Sequence, residues 1–127
     1  MKRTAVVSCA ALILLILLGT LCSLYAERSV EKLQARTEEM EAAMGRSKWH
    51  EALQERDETE RLWTEKSGVM QTWIVHENAD HVTLALKKLR VALSCENEGE
   101  AALILEELKE ALAHIVHQDV PHLVNVF

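Results

Sequence analysis

Two histidines, a glutamate and an aspartate fall within six residues in the stretch HENADH, His76–His81. Imidazole and carboxylate are the side chains of acid/base catalysis and of transition-metal binding, so the stretch raises the question of whether this chain is an enzyme. Helical geometry divides it. His76 and His81 are separated by about 140° around a helix, whereas a zincin-type pair needs histidines at i and i+4. The pairs that share a face are His76 with Asp80 and Glu77 with His81. Of these, His76 and Asp80 lie on the stripe with Val69 and Trp73. The preferred reading is a partly buried histidine hydrogen-bonded to a carboxylate, a structural clasp that satisfies both groups.

A second polar stripe runs through Leu103, Glu107, Glu110, His114 and His117. If it faced the first, His76, Asp80, Glu110 and His114 would form a mixed imidazole and carboxylate site between helices, where bundles hold metals. This metal-dependent or ligand-sensing reading stands as the alternative. It lacks the Glu-x-x-His pair of di-iron bundles, because Glu110 precedes His114 by four positions. Nucleophile motifs are missing too. There is no Gly-x-Ser-x-Gly and no phosphate-cradling glycine loop. Cys95 stands beside Glu96 and near Glu98, which disfavour a thiolate. The chain reads as non-enzymatic, with no cofactor expected.

The elements that must position these groups are helices. From Glu27 onward the chain has one proline, Pro121, and three glycines, Gly45, Gly68 and Gly99. Between them lie stretches rich in Ala, Leu, Glu, Lys and Arg, which is helix-forming composition. The glycines are expected to act as C-caps. Strand alternation is absent, and aromatic residues make up only 4% of the chain.

The first stretch carries Val30, Leu33, Thr37, Met40 and Met44 as a narrow seam, enough to pack on one neighbour or to pair two copies in a short coiled coil. The second has Trp49, Leu53 and Trp63 on one face and a polar centre at Arg56 and Glu60, so it is expected to be the least buried. The third, Val69 to Cys95, is apolar on two sides: Val75, Val82, Leu86, Leu89 and Leu93 on one, Val69, Trp73, Leu84 and Val91 on the other. That pattern predicts a helix in the middle of a bundle. The fourth, Glu98 to His117, presents Ala101, Ile104, Leu105, Leu108, Ala111, Leu112, Ile115 and Val116 and should pack on the third as an αα-hairpin. The ending Leu123, Val126 and Phe127, after Pro121, is expected to fold back onto the bundle.

Residues 1–26 are a different kind of segment. Ala5 to Ala26 form a charge-free run of 22 residues, which at about 1.5 Å per residue spans a hydrocarbon core about 30 Å thick. An uncleaved anchor is preferred to a signal peptide, since Leu24 spoils the small-residue cleavage pattern before Ala26. Leu21 likewise argues against lipid attachment at Cys22. Basic residues stand on both sides of the run, Lys2 and Arg3 before it and Arg28, Lys32 and Arg36 after it, so the charge rule alone does not orient it. The very short basic N-terminus favours export of the downstream chain, giving an extracytoplasmic domain over 27–127.

Without Lys2 and Arg3, 12 of the 14 Lys and Arg face all 20 Asp and Glu beyond residue 26, a formal balance of −8. Such a field disfavours nucleic acid as a partner. Cys95 is the only cysteine of that domain. A buried or tolerated thiol is preferred there to an intermolecular bridge.

The expected architecture is therefore all-α: an N-terminal transmembrane or signal-anchor helix followed by a small antiparallel bundle of about four helices. The function that suits it is a membrane-anchored, non-enzymatic interaction module that binds a membrane or envelope protein, with possible homodimerisation through Val30, Leu33, Met40 and Met44.

The apolar N-terminus, Trp49 and Trp63, WIVHENADHV, LKKLRVAL, EALAHI and the ending LVNVF together resemble the bacterial domain-of-unknown-function family 4363. The residues that carry the likeness are His76, Asp80, His114, Asp119 and Asn125 in order, with Phe127 closing the chain. The family pattern has an acidic residue two after the histidine, where this chain has Asn78. The resemblance implies a small membrane-anchored helical protein of spore-forming and related bacteria, sometimes found beside a small multi-pass membrane protein. It implies no established activity.

Overall fold

The computed structural model of the chain describes residues 1–74 and 76–119, for 118 and 119 the backbone alone. Among these there are four α-helices and one π-helical turn, and no strand: α1 Lys2–Gly45, α2 Trp49–Met70, α3 His76–Ser94, α4 Glu98–His114 and the turn Ile115–Asp119. Each helix packs on its chain neighbour and α4 closes on α1, which makes an up-down-up-down ring of four.

The apolar run and the first bundle helix are one unbroken helix, because nothing between Ala26 and Glu27 breaks it and every residue nearby propagates a helix well enough. At 44 residues α1 is about 66 Å long. Its apolar half contains a window long and apolar enough to cross a membrane, with none of that window buried against the rest of the chain. Packing begins at Ala26 and continues through Ser29, Val30, Leu33, Thr37, Met40, Ala43 and Met44. The seam Val30, Leu33, Met40 and Met44 is thus at most 4% exposed within one chain. Pairing two copies through it would require opening the bundle.

The glycines do not cap the helices as expected. No described glycine has a positive φ, and Gly68 and Gly99 lie inside α2 and α4. The left-handed positions are Ser47 (φ 56°) and Glu96 (φ 53°). Both close the same pattern. The Lys48 N–H donates to Ala43 O at 2.9 Å and Ser47 N–H to Met44 O at 2.9 Å; Asn97 N–H donates to Ala92 O at 3.0 Å and Glu96 N–H to Leu93 O at 3.1 Å. These paired bonds satisfy the last carbonyls of α1 and α3. Asn97 then caps α4, its side chain accepting from Glu100 N–H at 3.1 Å and donating to the Glu100 carboxylate at 3.1 Å.

The third stretch is also shorter than expected. α2 runs through Gly68 to Met70, and α3 begins only at His76. Thr72, Trp73, Ile74 and Val75 are poor helix formers, and Ile74, at 6% exposure, anchors the turn in the core.

One face of α3, Val82, Leu86, Leu89 and Leu93, is buried as the periodicity predicts, Val75 lying outside the described residues, and so is the α4 stripe Ala101, Ile104, Leu105, Leu108, Ala111 and Leu112. The second apolar side of α3 is not buried. Leu84 is 50% and Val91 64% exposed, and Val69 at the end of α2 is 52% exposed. α3 is a corner of the ring, which buries one stripe per helix, rather than its centre.

Candidate functional site

Because the second side of α3 faces solvent, the HENADH stretch does not form a buried clasp. His76 is the first residue of α3, and it, Glu77, Asp80 and His81 are all exposed. The side chain that reaches the α4 stripe is His81. It lines a groove of about 450 Å³ between α3 and α4 together with Leu84, Ala85, Lys88, Glu107, Glu110, Ala111 and His114. His76 and Asp80 are not part of that lining. Of the stripe expected to face Glu107, Glu110 and His114, only Leu84 lines the groove; His81, from the other flank of HENADH, stands there instead.

Within the groove, Lys88 Nζ lies 3.6 Å from the Glu107 carboxylate and His114 Nε2 lies 3.7 Å from Glu110 Oε1. Both separations are ion-pair contacts rather than hydrogen bonds, and the second operates only when the imidazole is protonated. Among the described residues no three His, Cys, Asp or Glu side chains are placed to share a metal ion. The set His76, Asp80, Glu110 and His114 does not converge, because the first pair and the second project from different flanks.

What the groove does offer is apolar surface. Leu84 and Val91 lie seven apart on α3 on the side of Lys88, and Leu103 lies on the α4 stripe with Glu107 and Glu110. The Lys88 and Glu107 pairing sets these helices in antiparallel register, which puts Val91 and Leu103 at one level of the hairpin, just beyond the residues that line the groove. Leu103 is 64% exposed. A second opening, between α1 and α2, is lined by Lys32, Ala35, Arg36, Glu39, Glu55, Glu58, Arg61 and Leu62, with more charged side chains than the α3–α4 groove. Arg36 bridges to Glu55 at 3.1 Å there, and the Arg61 hydrogen bond holds the Glu58 carboxyl below its usual range.

The tryptophans are structural in different ways. Trp49 packs half-buried against the core. Trp63 is 4% exposed, and its indole N–H donates to Thr83 Oγ1 at 3.1 Å. Trp73 stands edge-on to Tyr25, ring centres 6.5 Å apart, and its buried N–H meets no acceptor among the described residues. Cys95 is exposed at the turn after α3 rather than buried. The Asp119 side chain, Asn125, Phe127 and the rest of the fold-back segment lie outside the described residues.

Sequence periodicity misses Arg56. The core positions of α2 are Ala52, Arg56, Thr59, Trp63 and Met70, a seam displaced from the Trp49 and Leu53 face. Arg56 is fully buried. Its Nη1 donates to the Leu86 carbonyl of α3 at 3.0 Å, and its other nitrogens meet Asp57 and Glu60. Arg90 of α3 reaches the same Glu60 at 2.7 Å. Two acidic residues within four positions of an arginine in the seam were the available signal.

No curated protein and no solved structure matches this chain. One family model does, described as a domain of unknown function, DUF4363, over residues 21–126. The match begins near the end of the apolar run and takes in every bundle helix, so what it recognises is the packed head. On that match the chain belongs to the DUF4363 family.

Proposed function

We propose that this chain is a membrane-anchored, non-enzymatic interaction module whose head, on the extracytoplasmic side, binds a membrane or envelope protein through the outer groove of α3 and α4. The observation that carries the reading is the exposure of Leu84, Val91 and Leu103, 50 to 64%, along one face. Exposed aliphatic side chains set among charged ones on one face are the kind of surface that partners cover. The apolar helix supports a partner in or near the same membrane, since a tethered head searches only a thin layer. The acidic balance favours a partner whose facing surface is neutral or basic. The metal-sensing alternative loses support because His76 and Asp80 stand away from the groove.

Co-purification of the full chain in mild detergent tests this. The unaltered chain is expected to retain one membrane or envelope protein in stoichiometric amount, and the double variant Leu84→Glu, Leu103→Glu to lose it while keeping its helical signal. Both positions are exposed, so the fold tolerates the charge. Equal recovery of that protein with the variant, or a monomeric chain with no companion, would contradict the proposal.

A further inference from the structure

The turns at the two ends of the bundle differ in charge. The end away from the apolar helix carries Arg46 and Lys48 in one turn and Glu96, Glu98 and Glu100 in the other. At the end beside it, next to the start of the packed part of α1 and the end of α4, lies the turn from α2 to α3, inside residues 67–76, the longest stretch beyond residue 26 without Asp, Glu, Lys or Arg.

The height of that turn is fixed by packing. If the run Ala5 to Ala26 crosses the hydrocarbon core, its length of about 33 Å leaves Tyr25 at the far interface. α1 is unbroken there, so Tyr25 and the bundle move as one body. Trp73 packs edge-on against Tyr25 at 6.5 Å, and Lys66 Nζ sits 5.4 Å from the centre of the Tyr25 ring. Tyrosine, tryptophan and a lysine on an aliphatic stem are the residue types that settle at the headgroup layer. Val69, 52% exposed, and exposed Gln71 and Thr72 complete the uncharged surface of the turn itself.

We infer that the base of the bundle, the α2–α3 turn with Tyr25 and Lys66, rests in the headgroup layer of the phospholipid bilayer, so that the head stands fixed on the membrane rather than swinging from its anchor. The inference rests on the anchor reading. A neutral phospholipid surface suits the acidic head, which an anionic one would repel.

The test is depth measurement by spin-label relaxation on the full chain in pure phosphatidylcholine vesicles. Its cysteines, Cys9, Cys22 and Cys95, are first replaced by alanine, and single labels are placed at Leu15→Cys, Thr72→Cys and Ala42→Cys. Leu15 reports the anchor, Thr72 the base, and exposed Ala42 the far end of the head. The expected result is a Leu15 label in hydrocarbon, a Thr72 label within about 5–10 Å of the headgroup and acyl boundary, and an Ala42 label open to the aqueous relaxant. A Thr72 label as open to that relaxant as Ala42, with Leu15 in hydrocarbon, would overturn the inference and leave the anchor standing. A Leu15 label in water would overturn both.

Discussion

Arg56 is accommodated at zero exposure because oxygens surround its guanidinium: the Leu86 carbonyl, Asp57 and Glu60. The carboxylates remain partly solvated, 64% and 36% exposed, so removing the arginine strands no buried anion. The loss should then come mainly from the packing of its stem. Arg56→Ala is expected to destabilise the fold by about 2–4 kcal/mol. Arg56→Met, which fills the same space without charge, should stay within about 1.5 kcal/mol of the parent. Urea unfolding of both variants checks this, and equal large losses would show that the charge itself holds α2 to α3. Hydrophobic periodicity treats arginine as surface, so it found Trp63 and the flanking Trp49 and Leu53 of α2 but read Arg56 among them as a sign of low burial. The histidines failed for a related reason. A face angle tells which residues share a side, but it cannot tell whether that side has a neighbour.

At the scale of elements, helix existence was legible and helix ends were not. The stripes of α3 and α4 were read from spacing alone because each buries a strong apolar set. Glycine was a poor guide to the turns, since the left-handed positions are filled by Ser47 and Glu96 and the carbonyls are satisfied by backbone bonds. An L-residue in that region costs about 1–2 kcal/mol that glycine avoids, partly offset by glycine's greater freedom when unfolded. Glu96→Gly and Ser47→Gly are each expected to stabilise by about 0.5–1 kcal/mol, read as a raised thermal midpoint. A lowered midpoint in either would mean that the side chain does more there than the backbone shows. Across the ring, Lys109 of α4 donates to Glu41 of α1 at 2.7 Å. That hydrogen bond, against some burial, holds the lysine pKa above its ordinary value of 10.5. Its contribution to closing α4 on α1 is complete below that ordinary value and is lost only as pH rises through the raised one.

For the whole molecule, the apolar run and the all-helical class were plain in the sequence, because length without charge and composition without strand patterning are global signals. The continuity of α1 from that run into the bundle was not, since a domain boundary drawn on composition says nothing about whether the backbone bends there. That continuity matters for function. It joins the head directly to the apolar helix, while the α3–α4 groove lies on the side of the ring formed by the later helices.

The most direct measurement is photo-cross-linking from single positions of the full chain in its own membrane. A reactive side chain replaces Val91 or Leu103 in the groove, or Ala42 on the exposed face of α1 as the reference. One shared adduct with a membrane or envelope protein is expected from Val91 and Leu103, and none from Ala42. The same adduct from all three positions, or no adduct from the groove, would contradict a docking role for the α3–α4 face.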